Sequence, residues 1–319
     1  MYAPRSLALC LGALFACKAA HAQYPQYTPN VVYDQSNFFS SFDFFSEADP
    51  THGFVQYVDA QTANSLGLAG ISSGGIFMGT DSTTKNPPGG RKSVRVTSKQ
   101  RFTHGLFIAD IAHMPGSICG VWPAFWMFGP DWPNSGEIDI IEGSSTQTAN
   151  AITLHTAAGF RVNNEGSNPS TSLLGSDCGP SSSNAGCGQK TADNQNYGDG
   201  FNAIGGGIYA TEWTSNHIAV WFFPRTNIPA DVGSGAPNPG GWGNPLARFT
   251  GGNIDGFFKN NQIVFNTALC GDLAGGLWAS DPECSALAPT CEEYVANNPS
   301  AFVEAFWIVN SVSVYNQAP

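Results

Sequence analysis

Ten short apolar runs, most alternating apolar with polar residues, punctuate the sequence between stretches of Gly, Pro, Asn and Ser. This rhythm limits the fold more than any other feature, because a period of two places alternate side chains on one face of a strand and Gly/Pro clusters end it. The runs cover 53–57, 94–98, 106–114, 121–128, 138–141, 152–156, 208–213, 217–223, 263–269 and 306–315. One short helix is expected at 291–296, stopping before Pro299, and nowhere do strands and helices alternate as a parallel α/β sheet requires. A charged fraction of 12% is too small for several amphipathic surface helices, whereas Gly 37, Pro 21 and 12% aromatic residues suit many turns around a ring-rich core. The expected fold class is all-β, a two-sheet antiparallel sandwich. The stretches 163–202 and 224–255, dense in Gly, Pro, Asn and Ser, are expected as surface loops inserted within one domain.

Residues 1–22 have the layout of a secretory signal, with Arg5, an apolar run over 7–17 and a small-residue cleavage site at Ala20-His21-Ala22. A mature domain over 23–319 would carry 11 basic against 24 acidic residues, a net charge of −13, which repels nucleic acid and anionic membranes. No later apolar run approaches the roughly 18 residues needed to span a membrane. The expectation is a secreted, extracellular monomer without nucleic-acid or membrane partners. Six cysteines remain after the signal, Cys119, Cys178, Cys187, Cys270, Cys284 and Cys291. An even number in a secreted chain argues for three disulfides among about 15 connectivities. Cys178 and Cys187, flanking a polar turn-rich loop, form the clearest pair.

Residues 136–143 read Gly-Glu-Ile-Asp-Ile-Ile-Glu-Gly and concentrate three carboxylates in an otherwise apolar, β-branched strand. Alternation puts Glu137 and Asp139 on one face, but Glu142, at an odd spacing, would point the other way. One extra residue at Ile140-Ile141, a β-bulge, returns Glu142 to the acidic face. The two glutamates are then about 13 Å apart along the backbone, and inward-leaning carboxyls could approach to roughly 5–7 Å, a spacing for two-carboxylate glycoside hydrolysis. A solvated face would intersperse Lys or Ser, and a calcium site would need loop carbonyls that a single strand does not supply.

Three of eight tryptophans, Trp122, Trp126 and Trp132, immediately precede this segment. Indole faces stack on sugar rings, so these residues either line a polysaccharide cleft or, for Trp122 and Trp126 four apart on one strand face, fill the core. His155 shares a face with Thr153 in the next strand and can orient a carboxylate or a sugar hydroxyl, or serve only structure. The remaining histidines have no metal-binding spacing, and neither a phosphate-binding Gly-rich loop with its Lys nor a Gly-x-Ser-x-Gly elbow occurs.

The Glu-x-Asp-x-x-Glu segment with Trp132-Pro133-Asn134-Ser135 resembles the signature of glycoside hydrolase family 16. Asp49-Pro50-Thr51-His52-Gly53, Gly90-Arg91 through Ser93-Val94-Arg95, Trp122-Pro123-Ala124, Leu154-His155-Thr156, the 270–275 Cys-Gly-Asp-Leu-Ala-Gly segment and Val312-Ser313-Val314-Tyr315 extend the resemblance to secreted fungal-type laminarinases. The resemblance implies a β-jelly roll with a cleft across its concave sheet, cutting β-1,3- or mixed β-1,3/1,4-glucan internally with retention of configuration. It implies Glu137 as nucleophile, Glu142 as general acid/base and Asp139 as the assisting residue between them. It also makes Trp132, His155, Trp122, Trp126, Arg91 and Trp213 substrate-binding candidates. No cofactor or catalytic metal is implied. Many members bind a structural calcium through an acid after the Trp of the last strand, but Trp307 is followed by Ile308, Val309 and Asn310. Two further departures stand out: 157–160 has no cysteine, and Ser144-Ser145 follows the motif at the expected cleft border. A glucan transglycosylase using the same residues and a non-catalytic glucan-binding jelly roll are the competing readings.

Overall fold

A computed structural model describes residue 24 and residues 26–181 and 185–318. The signal segment expected at 1–22 lies outside the described residues. Two eight-stranded antiparallel sheets carry the architecture. The first runs in the order Ala247–Phe249, Ile218–Pro224, Gly207–Trp213, Gly105–His113, Phe306–Gln317, Gly75–Gly79 and Ala69–Ser72, with Tyr27–Asp34 also paired to Phe306–Gln317. The second runs Ser172–Leu173, Cys187–Lys190, Ala151–His155, Glu137–Glu142, Val121–Phe128, Gln262–Leu269, Arg95–Ser98 and Phe42–Phe44. This is the expected antiparallel sandwich of jelly-roll type.

Alternation along the strands builds the core between the sheets. Phe125, Met127, Ile138, Ile141, Ile152, Leu154, Ile263 and Phe265 from the second sheet meet Phe107, Ala109, Ile111, Tyr209, Val220, Val312 and Val314 from the first. Removing this apolar surface from water is the dominant stabilising term, about 25 cal/mol per Å². It leaves the second sheet's other face free for polar residues.

A smaller core at one end of the sandwich packs Cys119, Val121 and Leu269 against Trp278, Val295 and Phe302 of a segment of short helical turns. The expected helix forms there as Cys291–Asn297, its first turn capped by Thr290, which accepts from the Glu293 N–H. Cys119–Cys284 and Cys270–Cys291 bolt this cap to the sheet ends. Cys178–Cys187 is the third disulfide, as the sequence suggested. Through Thr146, whose hydroxyl donates to Asp281 at 2.7 Å, the cap also fixes the loop after the acidic strand.

The stretches 163–202 and 224–255 are not only surface loops. They contribute strands Ser172–Leu173, Cys187–Lys190 and Ala247–Phe249. Their low apolar content concealed them; Gln189, for instance, is fully buried by hydrogen bonding instead, accepting from the Ser167 hydroxyl and donating to the Arg248 carbonyl, each at 2.7 Å. The hairpin of Ala69–Ser72 and Gly75–Gly79 also escaped the alternation pattern, its glycines interrupting the apolar run. No helix among the described residues is long and apolar enough to cross a membrane.

The disulfides should rank by the chain they close. Cys119–Cys284 spans 165 residues and Cys178–Cys187 spans 9; chain-entropy bookkeeping assigns about 5 and about 2.5 kcal/mol respectively. Paired Cys-to-Ser replacement of the first should therefore lower the melting temperature more than replacement of the second. Calorimetry showing equal losses would contradict this ranking.

Candidate active site

The acidic strand Glu137–Glu142 lies inside the second sheet, between Val121–Phe128 and Ala151–His155. Glu137, Ile138 and Asp139 pair with Phe128, Met127 and Trp126, and then the register slips, so that Ile141 and Glu142 pair with Phe125 and Ala124. Ile140 is the extra residue. Ile138 and Ile141 consequently turn into the core while Glu137, Asp139 and Glu142 all take the outer face, as the odd spacing required. The hairpin before the strand turns at Gly136, where φ is +73° and a Cβ would come within 2.4 Å of Phe258, so only glycine fits.

That hairpin carries Trp132, 46% exposed, whose indole N–H donates to Glu137 Oε2. Trp122 does the same for the other glutamate, its Nε1 lying 3.0 Å from Glu142 Oε1. On the opposite neighbour, His155 pairs with Glu137 across the ladder and Thr153 with Asp139. His155 Nε2 comes 3.4 Å from Asp139 Oδ2. Oxygen or nitrogen atoms of Glu137, Asp139 and His155 all lie within 4.8 Å of one another.

Asp139 is 2% exposed and the two glutamates are half-buried. Burial pushes all three carboxyls upward from their ordinary range. The neighbouring Asp139 charge raises Glu137 further, and Glu142 raises Asp139, while His155 pulls both glutamates back down and the Trp122 hydrogen bond lowers Glu142. Burial and like charge thus both oppose full ionisation of the three, and a proton on one alters the proton affinity of its neighbours. Carboxyls whose proton affinities are pushed apart on one face are what nucleophilic attack and acid catalysis in one step require.

Of the expected substrate-binding residues, Trp132, Trp122, Trp126 and His155 are brought together with the acids, Trp126 donating to Asn266 Oδ1 at 2.7 Å. Arg91 is not. It is 0% exposed, with its guanidinium donating to the carbonyls of Asp81, Thr84 and Val295, so it ties a loop to the helical cap and offers nothing to a sugar. Trp213 belongs to the first sheet and is wholly inside the inter-sheet core, beside Phe258. Ser144 and Ser145 turn inward as well: both are buried, and Ser145 Oγ accepts from the Gly120 N–H.

The arginine at the site is Arg95, which no sequence motif singles out. Opposite Asn266 in the ladder, it lies 4.5 Å from the Phe45 ring centre and 5.0 Å from that of Trp126. Its buried Nε has no hydrogen-bond partner among the described residues, and its charge interacts favourably with Glu137. Alternation does not single it out, since Arg91 and Arg95 are four apart and differ only in falling on separate strands.

A calcium ion is poorly served on the other sheet. Asn310 donates to Asp110, and that carboxylate is already paired with Arg225 at 2.7 Å. A guanidinium in this place opposes a cation.

The raised carboxyls set a stability test. A folded-state pKa above the unfolded value means the folded protein holds its protons longer, so the favourable contribution at low pH is lost as pH rises through the raised values. Glu137→Gln should therefore melt above the parent at pH 7, with the difference shrinking toward about pH 4, where unfolded carboxyls protonate. A lower melting temperature than the parent at pH 7 would contradict the desolvated cluster.

A family model described as "XgeA-like, catalytic GH16 domain" matches residues 42–315. An endo-1,3(4)-beta-glucanase of Arthroderma benhamiae is 44% identical over 317 residues, covering 97% of this chain and 68% of its own length. A probable endo-1,3(4)-beta-glucanase of Neosartorya fischeri is 45% identical, covering 98% of this chain, but the chain spans only 50% of that relative. Laminarinase 16A from Phanerochaete chrysosporium, solved with β-glucans in both donor and acceptor sites, superposes with a TM-score of 0.85 at 40% identity, over 91% of this chain and 100% of that one. An elongating family 16 β-1,3-glucosyltransferase has a TM-score of 0.84 at 39% identity and the same coverage. With the family model and a 44% identical relative both matching most of its length, this chain belongs to glycoside hydrolase family 16 and carries an XgeA-like catalytic domain.

Proposed function

We propose that the chain is a retaining, endo-acting hydrolase of β-1,3- and mixed β-1,3/1,4-glucans. The single observation that carries this reading is the bulged strand with Glu137, Asp139 and Glu142 on one outer face, each glutamate held by its own indole. The Glu137 carboxylate attacks the anomeric carbon while Glu142 gives its proton to the glycosidic oxygen, and the leaving chain departs as an alcohol. The resulting glycosyl ester on Glu137 is opened by water, whose proton Glu142 takes back. Two inversions at one carbon return the original configuration.

The other residues have derived roles. The Trp132 N–H and the nearby Arg95 charge oppose the upward push of burial and Asp139 on Glu137, and so favour the ionised form a nucleophile needs. Asp139, between the glutamates and beside His155, takes up or releases a proton as charge leaves and returns to Glu137. Trp122, Trp126 and Trp132 supply flat apolar surface for sugar rings. The β-1,3 preference and the internal mode of cutting rest on kinship with laminarinases that bind glucan on both sides of the cut.

A second reading has an observation of its own, the kinship with an elongating glucosyltransferase. It shares the first half-reaction and replaces water by a glucan hydroxyl in the second. We further propose that residues 23–319 act as one secreted, monomeric catalytic domain without a cofactor. The pairing of the first strand with the last supports one domain, and three disulfides support an oxidising compartment.

Glu137→Ser should reduce laminarin hydrolysis by more than about a thousandfold at an unchanged circular-dichroism spectrum. Undiminished activity would overturn the mechanism. Chromatography of the parent's products separates the two readings: chains only shorter than the substrate favour hydrolysis, and longer ones favour transfer.

A further inference from the structure

We propose that Asn150 is a positioning residue for the acid/base carboxylate, acting as a clamp across the β-bulge that brings Glu142 to the acidic face. The inference rests on the reading of Glu142 as acid/base. On its Ala151–His155 side the acidic strand is paired only at Glu137, Ile138 and Asp139, so the ladder stops where the bulge begins. The backbone groups beyond it need other partners. Asn150, just ahead of that neighbouring strand and 0% exposed, provides them from its side chain. Its Nδ2 donates to the carbonyl of the extra residue, Ile140, at 2.7 Å, and its Oδ1 accepts from the Glu142 N–H at 3.0 Å.

A carboxamide is the group that suits this gap, because it presents a donor and an acceptor on one planar unit. Aspartate could accept from Glu142 but could not donate to Ile140, and leucine could do neither. The clamp is itself held from behind. The Asn150 N–H donates to Asn196 Oδ1 at 2.8 Å, Asn196 is fully buried and donates to the Thr191 hydroxyl, and the Tyr209 hydroxyl donates to the Asn196 carbonyl. From the same loop, Gln147 Nε2 donates to the Glu142 carbonyl at 3.3 Å, so both peptide groups of Glu142 are fixed by side chains from 147–150. Without the amide the bulge could relax into regular pairing, which turns Glu142 toward the core.

The test separates misplacement of one carboxyl from general loosening. The sugar leaving from laminarin needs a proton, whereas dinitrophenolate leaving from a 2,4-dinitrophenyl β-laminaribioside does not. Azide can open the glycosyl ester without a general base, displacing Glu137 and forming a glycosyl azide. Asn150→Ala should therefore lower kcat on laminarin by about a hundredfold with little change in KM. It should keep the dinitrophenolate burst within a few-fold of the parent and be accelerated by azide. Asn150→Asp, which preserves shape and the acceptor, should show the same pattern at smaller amplitude, and it serves as the test if the alanine variant does not fold. Equal losses on both substrates without an azide response, or no loss at all, would overturn the clamp. Glu142→Ala is the control. If it too loses both substrates equally, the acid/base assignment fails; if it alone shows the azide response, only the role of Asn150 fails.

Discussion

Three carboxyl groups on one partly desolvated sheet face repel one another and resist losing water, so an arrangement like that of Glu137, Asp139 and Glu142 persists only where the surrounding structure imposes it. The imposition comes from the reverse side of the same strand. Ile138 and Ile141 are wholly buried in the inter-sheet core, and moving any acid off the outer face would bring an isoleucine out of that core. Apolar burial behind the strand thus offsets electrostatic cost in front of it. The bulge at Ile140 reconciles the two faces.

The flanking strands convert the crowded acids into distinguishable ones. Trp132 and Trp122 each hydrogen-bond one glutamate, and His155 stands beside the aspartate. Because the acids are coupled, a proton moved on one alters its neighbours, and a small difference in hydrogen bonding gives the two glutamates different proton affinities. The helical cap contributes at a distance. Its two disulfides and the Thr146–Asp281 contact hold the end of the sheet from which the loop after Glu142 departs.

The parts of this arrangement legible in the sequence were those governed by a strict geometric rule. A period of two made the phase error of Glu142 visible, and the bulge was its simplest correction. Sheet membership was legible where apolar residues ran uninterrupted; it was lost at Gly75–Gly79, where glycines flank buried Ile76 and Met78, and at Cys187–Lys190, where Gln189 is buried through polar contacts. Long-range proximity was hidden altogether. Nothing local distinguishes Arg91, enclosed by carbonyls from the cap, from Arg95, which stacks on Phe45 and Trp126 at the site. Trp213 shows the same limit, since an indole suited to a sugar is equally suited to a core.

In the proposed mechanism the three acids have separate tasks, with Glu137 alone bonding to the sugar. A 2-deoxy-2-fluoro laminaribioside with a dinitrophenyl leaving group would form the glycosyl ester and slow its breakdown, and peptide mass spectrometry would locate the label. One fluorolaminaribiosyl group is expected, attached at Glu137. A label on Asp139 or Glu142, or rapid turnover through Glu137→Ser, would contradict it.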